Sequence, residues 1–284
     1  MVDWLQPLEY LREHRRAGVL VTLAAVRGHA PREAGAKMVV AADRTWGTIG
    51  GGNLEAQAVS RARLLLHEGG RAPETLTVSL SEKAPSEYGV QCCGGEVTIL
   101  LEPLPVSPAV AIFGMGHVGL ELARIVARHD LELHLVDTRP GQLSPERLQV
   151  LADARARIHV HRDVLVLPEI VLPELPPGTH VLIMTHDHAE DAALCDAALR
   201  SPALGPIGLI GSAAKWTRFR HKLAAAGHSD EALRRITTPI GLPGFRGKDP
   251  ATIAVSVAAA LVGSFERDPE QARTDAGNPE PARR

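Results

Sequence analysis

Six residues restrict this chain more than any others: Gly114-Met115-Gly116-His117-Val118-Gly119, with glycine in the first, third and sixth places. They follow an apolar run, 109–113, that reads as a buried strand, and they open a segment, 116–129, with helical periodicity. Glycines at this spacing between a strand and a helix mark a Rossmann-type unit. The first permits a tight turn, the second lets a phosphate approach the backbone, and the third lets the helix pack on the strand. The helix start then offers unpaired N–H groups and a partial positive charge to an anion. Asp137 ends the next strand, 131–136, near the spacing at which an acid takes a ribose hydroxyl.

The segments that follow alternate. Short apolar strands are expected at 157–160, 180–184 and 206–210, and helices at 189–199, 213–226 and 250–265, a pattern that signals a parallel sheet covered on both faces. Ahead of the glycine turn the pattern differs. A short amphipathic helix carries Leu5, Leu8 and Leu11, strands fit 19–26, 37–41, 75–80 and 97–101, and a helix runs from Asn53 to about His67. Pro103, Pro105 and Pro108 stiffen the chain between the two halves and deny it both helix and central strand. The expected fold class is α/β, with a Rossmann-type parallel-sheet domain over 104–266 and a smaller α+β domain over 1–103. Residues 267–284, rich in proline, glycine and charge, read as a disordered tail.

Composition closes off several functions. A formal net charge of −2 gives no basic field, so nucleic acid is not an expected partner. No apolar stretch is long enough to span a membrane, and the start, Met1-Val2-Asp3-Trp4, lacks the pattern of a secretory signal. Three cysteines, two of them adjacent, build no disulfide framework, which suits a reducing, cytoplasmic setting.

Four further places carry candidate chemistry. Gly50-Gly51-Gly52 precedes a helix and is either a second anion cradle or a flexible turn; Glu55, in that helix's first turn, serves either the helix dipole or a ligand. Cys92-Cys93, followed by Gly94-Gly95, offers a thiolate for a soft metal or for sulfur, or else two buried, inert thiols; adjacent cysteines lack the spacing of a structural zinc site. His186-Asp187-His188 falls at the carboxyl end of a strand, where open α/β sheets bind ligands, although Asp187 alone would explain the segment as a helix cap. The stretch from Gly241 to Lys248 has the outline of a phosphate loop but continues with Asp249 where serine or threonine is needed, so it fails as one.

Taken in order, these segments resemble the XdhC family, accessory proteins of bacterial xanthine dehydrogenase that bind the molybdenum cofactor. The resemblance spans roughly residues 1–265. It rests on Gly50-Gly51-Gly52-Asn53-Leu54-Glu55, Cys93-Gly94-Gly95 before Leu101-Glu102-Pro103, the turn 113–119, Met184 to Ala189, Ile210 to Phe219, and Pro239 to Pro243 leading to Gly247-Lys248. What it implies is a carrier, not an enzyme. It would hold the molybdenum cofactor (molybdopterin) while a cysteine desulfurase sulfurates it, then insert it into apo-xanthine dehydrogenase, with cofactor-biosynthesis proteins as further partners.

Carried over residue by residue, the resemblance makes Cys93 the metal-contacting thiol and Cys92 its neighbour. It places the cofactor against Gly114, Gly116, Gly119 and His186, with less weight on His188; Gly51, Gly52, Glu55 and Asp137 join them as cofactor-binding candidates on their own residue chemistry. Ser212 would cap the next helix and Lys215 would meet an anion. Relatives carry cysteine before Pro-Ile-Gly where this chain has Thr238, so no thiol role is expected there. The alternatives are an NAD(P)-dependent oxidoreductase holding a dinucleotide, a non-catalytic dinucleotide-sensing module, and a chaperone for another molybdenum hydroxylase. A homodimer is the default assembly for a soluble protein.

Overall fold

The computed structural model describes residues 4–80, 95–162, 167–245 and 247–266. Two compact units result, Met1–Ser107 and Pro108–Arg284.

The first unit is an antiparallel sheet with helices on it. Its elements are α1 (Leu5–Glu13), β1 (Gly18–Arg27), β2 (Lys37–Val40), β3 (Thr45–Gly47), α2 (Gly52–Glu68), β4 (Glu74–Ser79) and β5 (Glu96–Leu104). The strands lie in the order β3-β2-β1-β5-β4. Val19, Val21 and Leu23 on β1, and Val97, Ile99 and Leu101 on β5, alternate onto one face. There they meet Leu54, Ala58, Ala62 and Leu65, one stripe of α2. Each valine, leucine or isoleucine among them contributes about 1.5–3 kcal/mol when fully buried. The opposite face packs Val39 and Ala41 against Leu11 of α1. Pro103, expected to end the strand, lies within β5 opposite Val19. The pairing of β4 stops at Leu101, so Pro103 has a strand on one side only, where a missing N–H is tolerated.

The second unit carries a six-stranded, all-parallel sheet: β6 (Ala109–Phe113), β7 (Glu132–Val136), β8 (Arg157–His161), β9 (His180–Ile183), β10 (Ile207–Leu209) and β11 (Ile236–Thr237). The spatial order is β11-β10-β9-β6-β7-β8. Counted within the unit this is 6-5-4-1-2-3, the doubly wound Rossmann arrangement, so the α/β expectation holds. The helices are α3 (His117–Val126), α4 (Pro145–Leu148), α5 (His188–Arg200), α6 (Ala213–Ala225), α7 (Asp230–Leu233) and α8 (Pro250–Glu266).

Every residue of β6 and β7 is buried, as strands covered on both faces must be. On one face Val110, Ile112, Leu133 and Leu135 meet Leu122 and Val126 of α3 and Val257 and Leu261 of α8. On the other, Ala111, Phe113, Val181 and Ile183 meet Leu194 and Ala198 of α5 and Phe219 of α6. Among the described residues, no helix is long and apolar enough to cross a membrane.

Candidate functional site

The strand order reverses between β6 and β9, and a crevice at such a reversal, outside the carboxyl ends of the strands, is where open α/β sheets receive ligands. The glycine turn sits there, and its three glycines do different work. Gly114 adopts φ +107°, and a Cβ on it would fall 2.3 Å from the Met184 carbonyl oxygen beyond β9. A Cβ on Gly119 would fall 2.1 Å from the Gly114 carbonyl oxygen, so this glycine lets α3 lie on β6. Gly116 is neither crowded nor twisted into positive φ. A Cβ there would meet only the Arg139 guanidinium, at 3.8 Å. Gly116 is also the N-cap of α3 and supplies no side-chain cap, whereas Asp187 caps α5 and Ser212 caps α6. The first N–H groups of α3 therefore have no side-chain cap and carry a partial positive charge.

Asp137 and Arg139 complete this corner. Asp137 is buried and its two oxygens take four donors: the Arg139 N–H and Nε at 2.9 Å each on one, and Arg139 Nη2 at 2.8 Å and the Met115 N–H at 2.6 Å on the other. Burial alone would push this carboxyl up, but those hydrogen bonds and the guanidinium charge hold it below its ordinary value. Asp137 was expected to take a ribose hydroxyl. With every lone pair used within the chain, it instead fixes the turn and aims Arg139, whose side chain stays 35% exposed beside Gly116. Arg147 donates to the Met115 carbonyl at 3.2 Å, while its buried Nε has no hydrogen-bond partner. A hollow of about 270 Å³ opens alongside, lined by Asp137, Leu143, Ser144 and Arg162 among others. That volume lies just below the range for whole small-molecule ligands.

The far wall is built by an ion pair. Asp191, fully buried in the first turn of α5, accepts from Lys215 Nζ at 2.5 Å and from the Thr185 N–H and hydroxyl at 3.1 and 2.8 Å. Lys215 also donates to the Ile210 carbonyl at 2.9 Å. The expectation that Lys215 meets a ligand anion is therefore corrected: its anion is Asp191, because an ammonium this deeply buried needs a partner within the chain. Ser212 does cap α6, accepting from the Lys215 N–H at 3.3 Å. His186 and His188 are exposed. His188 turns edge-on to Phe219, 6.4 Å between ring centres. Glu190 accepts from the Thr138 hydroxyl at 3.0 Å; burial pushes its carboxyl up, against the pull of Thr138 and His186.

In the first unit, Gly50, Gly51 and Gly52 all have positive φ, and Gly51 and Gly52 face open space. Glu55 turns back onto the segment that precedes its own helix. One carboxylate oxygen accepts from the Thr48 hydroxyl and from the Ile49 and Gly51 N–H groups, the latter two at 3.2 Å. An open cleft of about 1040 Å³ adjoins, with Arg32, Lys37 and Thr48 on its walls. Cys92 and Cys93 lie outside the described residues.

The structure thus gathers Gly114, Gly116, Gly119, Asp137 and His186 at one end of the parallel sheet, with Ser212 and Lys215 at the adjoining strand end. The motif search missed Arg139, Arg147, Glu190 and Asp191. Arg139, two residues beyond the acid at a strand's carboxyl end, was the detectable one.

The fold and this corner define a Rossmann-type protein with a glycine turn at the switch point of its parallel sheet. Residues 11–79 match the XdhC and CoxI family and residues 110–261 match the XdhC Rossmann domain; the chain belongs to the XdhC family. It is 27% identical to PaoD of Escherichia coli, described as a molybdenum cofactor insertion chaperone, over 87% of this chain and 83% of PaoD. It is 26% identical to the uncharacterized Escherichia coli protein YqeB over 83% of this chain, but spans only 41% of that protein's length. A solved structure from Bacillus halodurans, described as a xanthine dehydrogenase, shares 20% identity over 98% of both chains, with a TM-score of 0.47.

Proposed function

We propose that this protein is a molybdenum cofactor chaperone that holds the cofactor and delivers it to an apo-molybdenum hydroxylase, xanthine dehydrogenase first. The observation that carries the reading is the open start of α3. There, uncapped N–H groups, a Gly116 with room for a ligand and a guanidinium anchored by Asp137 converge. A phosphate monoester, such as molybdopterin carries, needs several donors and positive charge on one side. The orphaned Nε of Arg147 is a further donor at that corner.

When bound, the cofactor brings a molybdenum centre on a dithiolene, the redox group of the client enzyme. The chain's own residues bind and orient: Gly116 and the α3 N–H groups take the phosphate, and Arg139 neutralises it. Cys93, with Cys92 beside it, is the thiol we assign to the metal, since thiolates suit soft centres. Sulfuration by a cysteine desulfurase while the cofactor is held, a cytoplasmic setting and a homodimer belong to the same reading. A dinucleotide is less well supported, because Asp137 has no acceptor left for a ribose.

The test is anaerobic titration of the purified protein with molybdenum cofactor, counting molybdenum that co-elutes on gel filtration. We expect near-stoichiometric retention, falling at least about tenfold (~1.4 kcal/mol) in Gly116→Val and Arg139→Ala. Cys93→Ala should lower it several-fold more than Cys195→Ala, since Cys195 is fully buried and its thiol is pushed up to about 12, chiefly by burial. Retention unchanged in all three site variants, or a nicotinamide nucleotide retained in place of molybdenum, would overturn the reading.

A further inference from the structure

A second cluster lies elsewhere on the parallel sheet, and no sequence motif flagged it. β7 and β8 pair in parallel with Glu132 opposite Arg157, His134 opposite His159 and Val136 opposite His161. Side chains alternate along a strand, so with Leu133 and Leu135 in the α3–α8 layer, Glu132 and His134 look to the other face. His159 and His161 join them from the edge strand. One ligand atom each from Glu132, His134 and His159 lie within 4.8 Å of one another. The His134 and His159 rings stack at 4.6 Å, and His134 Nδ1 lies 3.1 Å from His161 Nε2.

The grouping is compact and turned towards the interior. Glu132 and His134 are both buried. The His159 ring is 39% exposed, yet its Nε2 is turned inward, 4.0 Å from the Glu132 carboxylate and without a hydrogen-bond partner. Arg157, at the start of the edge strand, forms an ion pair with Glu132 at 3.9 Å and leaves the His159 nitrogen unanswered. A dication coordinated by these groups would satisfy the inward nitrogen of His159 and gather the two rings and the carboxylate on one centre.

We propose that Glu132, His134 and His159 bind a divalent transition metal, zinc first, with His161 orienting His134. Imidazole with one carboxylate suits zinc, nickel or cobalt, whereas calcium and magnesium require oxygen ligands. Tetrahedral zinc holds its ligand atoms about 3.3 Å apart, so binding draws the three atoms in from a spread that now stays within 4.8 Å. Hydrogen bonding of His134 to His161 is the kind of outer contact that fixes a ligating ring. Glu132 opens β7, and His134 and His159 sit at mid-strand, away from the glycine turn at the carboxyl ends. The metal is therefore a staple that holds the half-exposed edge strand β8 to β7, not part of the cofactor site.

The experiment uses the full chain carrying Cys92→Ser and Cys93→Ser, so that thiols contribute nothing. It is stripped with chelator and titrated with cobalt(II), then with zinc as competitor. We expect about one cobalt per chain with visible absorption bands of a low-coordinate nitrogen–oxygen site, displaced by zinc, and a higher melting temperature in the metal-bound form. His159→Gln and Glu132→Gln should each weaken uptake at least about tenfold, and His161→Gln by about 10–100-fold. His159 is exposed enough for its variant to fold, which circular dichroism checks. No stoichiometric uptake, or uptake unaltered by both His159→Gln and Glu132→Gln, overturns the proposal.

Discussion

At the scale of single residues, the sharpest commitment is the Asp191–Lys215 pair. Both side chains are almost wholly buried, at 0% and 8% exposure, so the pair is worth less as a net gain than as a condition on what else can change. Removing one charge strands the other in a medium that solvates it poorly, at a cost of about 3–5 kcal/mol. Lys215→Met is expected to lower the denaturation midpoint strongly. Adding Asp191→Asn should recover part of the loss, because the stranded carboxylate is then gone. Urea unfolding of the two single variants and the double checks this; strictly additive losses would sink it. The consequence reaches the site, since Asp191 also holds Thr185, against whose backbone Gly114 packs with no room for a Cβ.

At the scale of elements, the start of α3 separates what glycine does for folding from what it does for binding. Gly119→Ala drives a methyl group into the Gly114 carbonyl and forces α3 off β6, an overpacking expected to cost about 1–3 kcal/mol. Gly116→Ala meets open space at φ −69° and is expected to leave stability within about 1 kcal/mol of the parent. Thermal unfolding of both variants decides it, and equal destabilisation would refute the division of roles. This division was legible in the sequence because spacing alone encodes it. So were the long strands and helices, whose boundaries follow from runs of valine, leucine and isoleucine. β3 and β11 were not: with three and two residues they are too short for a period to show, and they lack the apolar run that marks β10. The His134–His159 grouping was hidden for another reason. Its members lie 25 residues apart in the chain, and only the register of β7 on β8 brings them together. Lys215 was misread because a buried partner 24 residues away leaves no local trace.

At the scale of the whole molecule, the cores are aliphatic, aromatic residues making up only 3% of the chain, and buried charge is unevenly placed. Among the described residues, the buried ionisable groups Glu132, His134, Asp137, Asp191, Cys195 and Lys215 all fall in the parallel-sheet unit. Proton uptake should therefore act mainly there. His180, at the start of β9, has its pKa pushed down by burial. As pH falls through about 6.5 the unfolded chain takes up a proton that the folded chain refuses, so stability is lost from that pH down to the lowered folded value. Glu190 works in the opposite sense: with its carboxyl pushed up by burial, the folded chain protonates it first and regains some stability as pH falls towards about 4.3. Asp137 and Asp196, held below the ordinary range in the fold, lose their contributions only as pH drops below about 3.9. The expected profile is highest near and above neutrality, declines early below pH ~6.5 and falls steeply under pH ~4. Calorimetric melting from pH 7.5 to 5 on the parent and on His180→Gln tests the early limb. A flatter profile in the variant assigns that limb to His180, while superimposable slopes would mean that its burial does not govern acid stability.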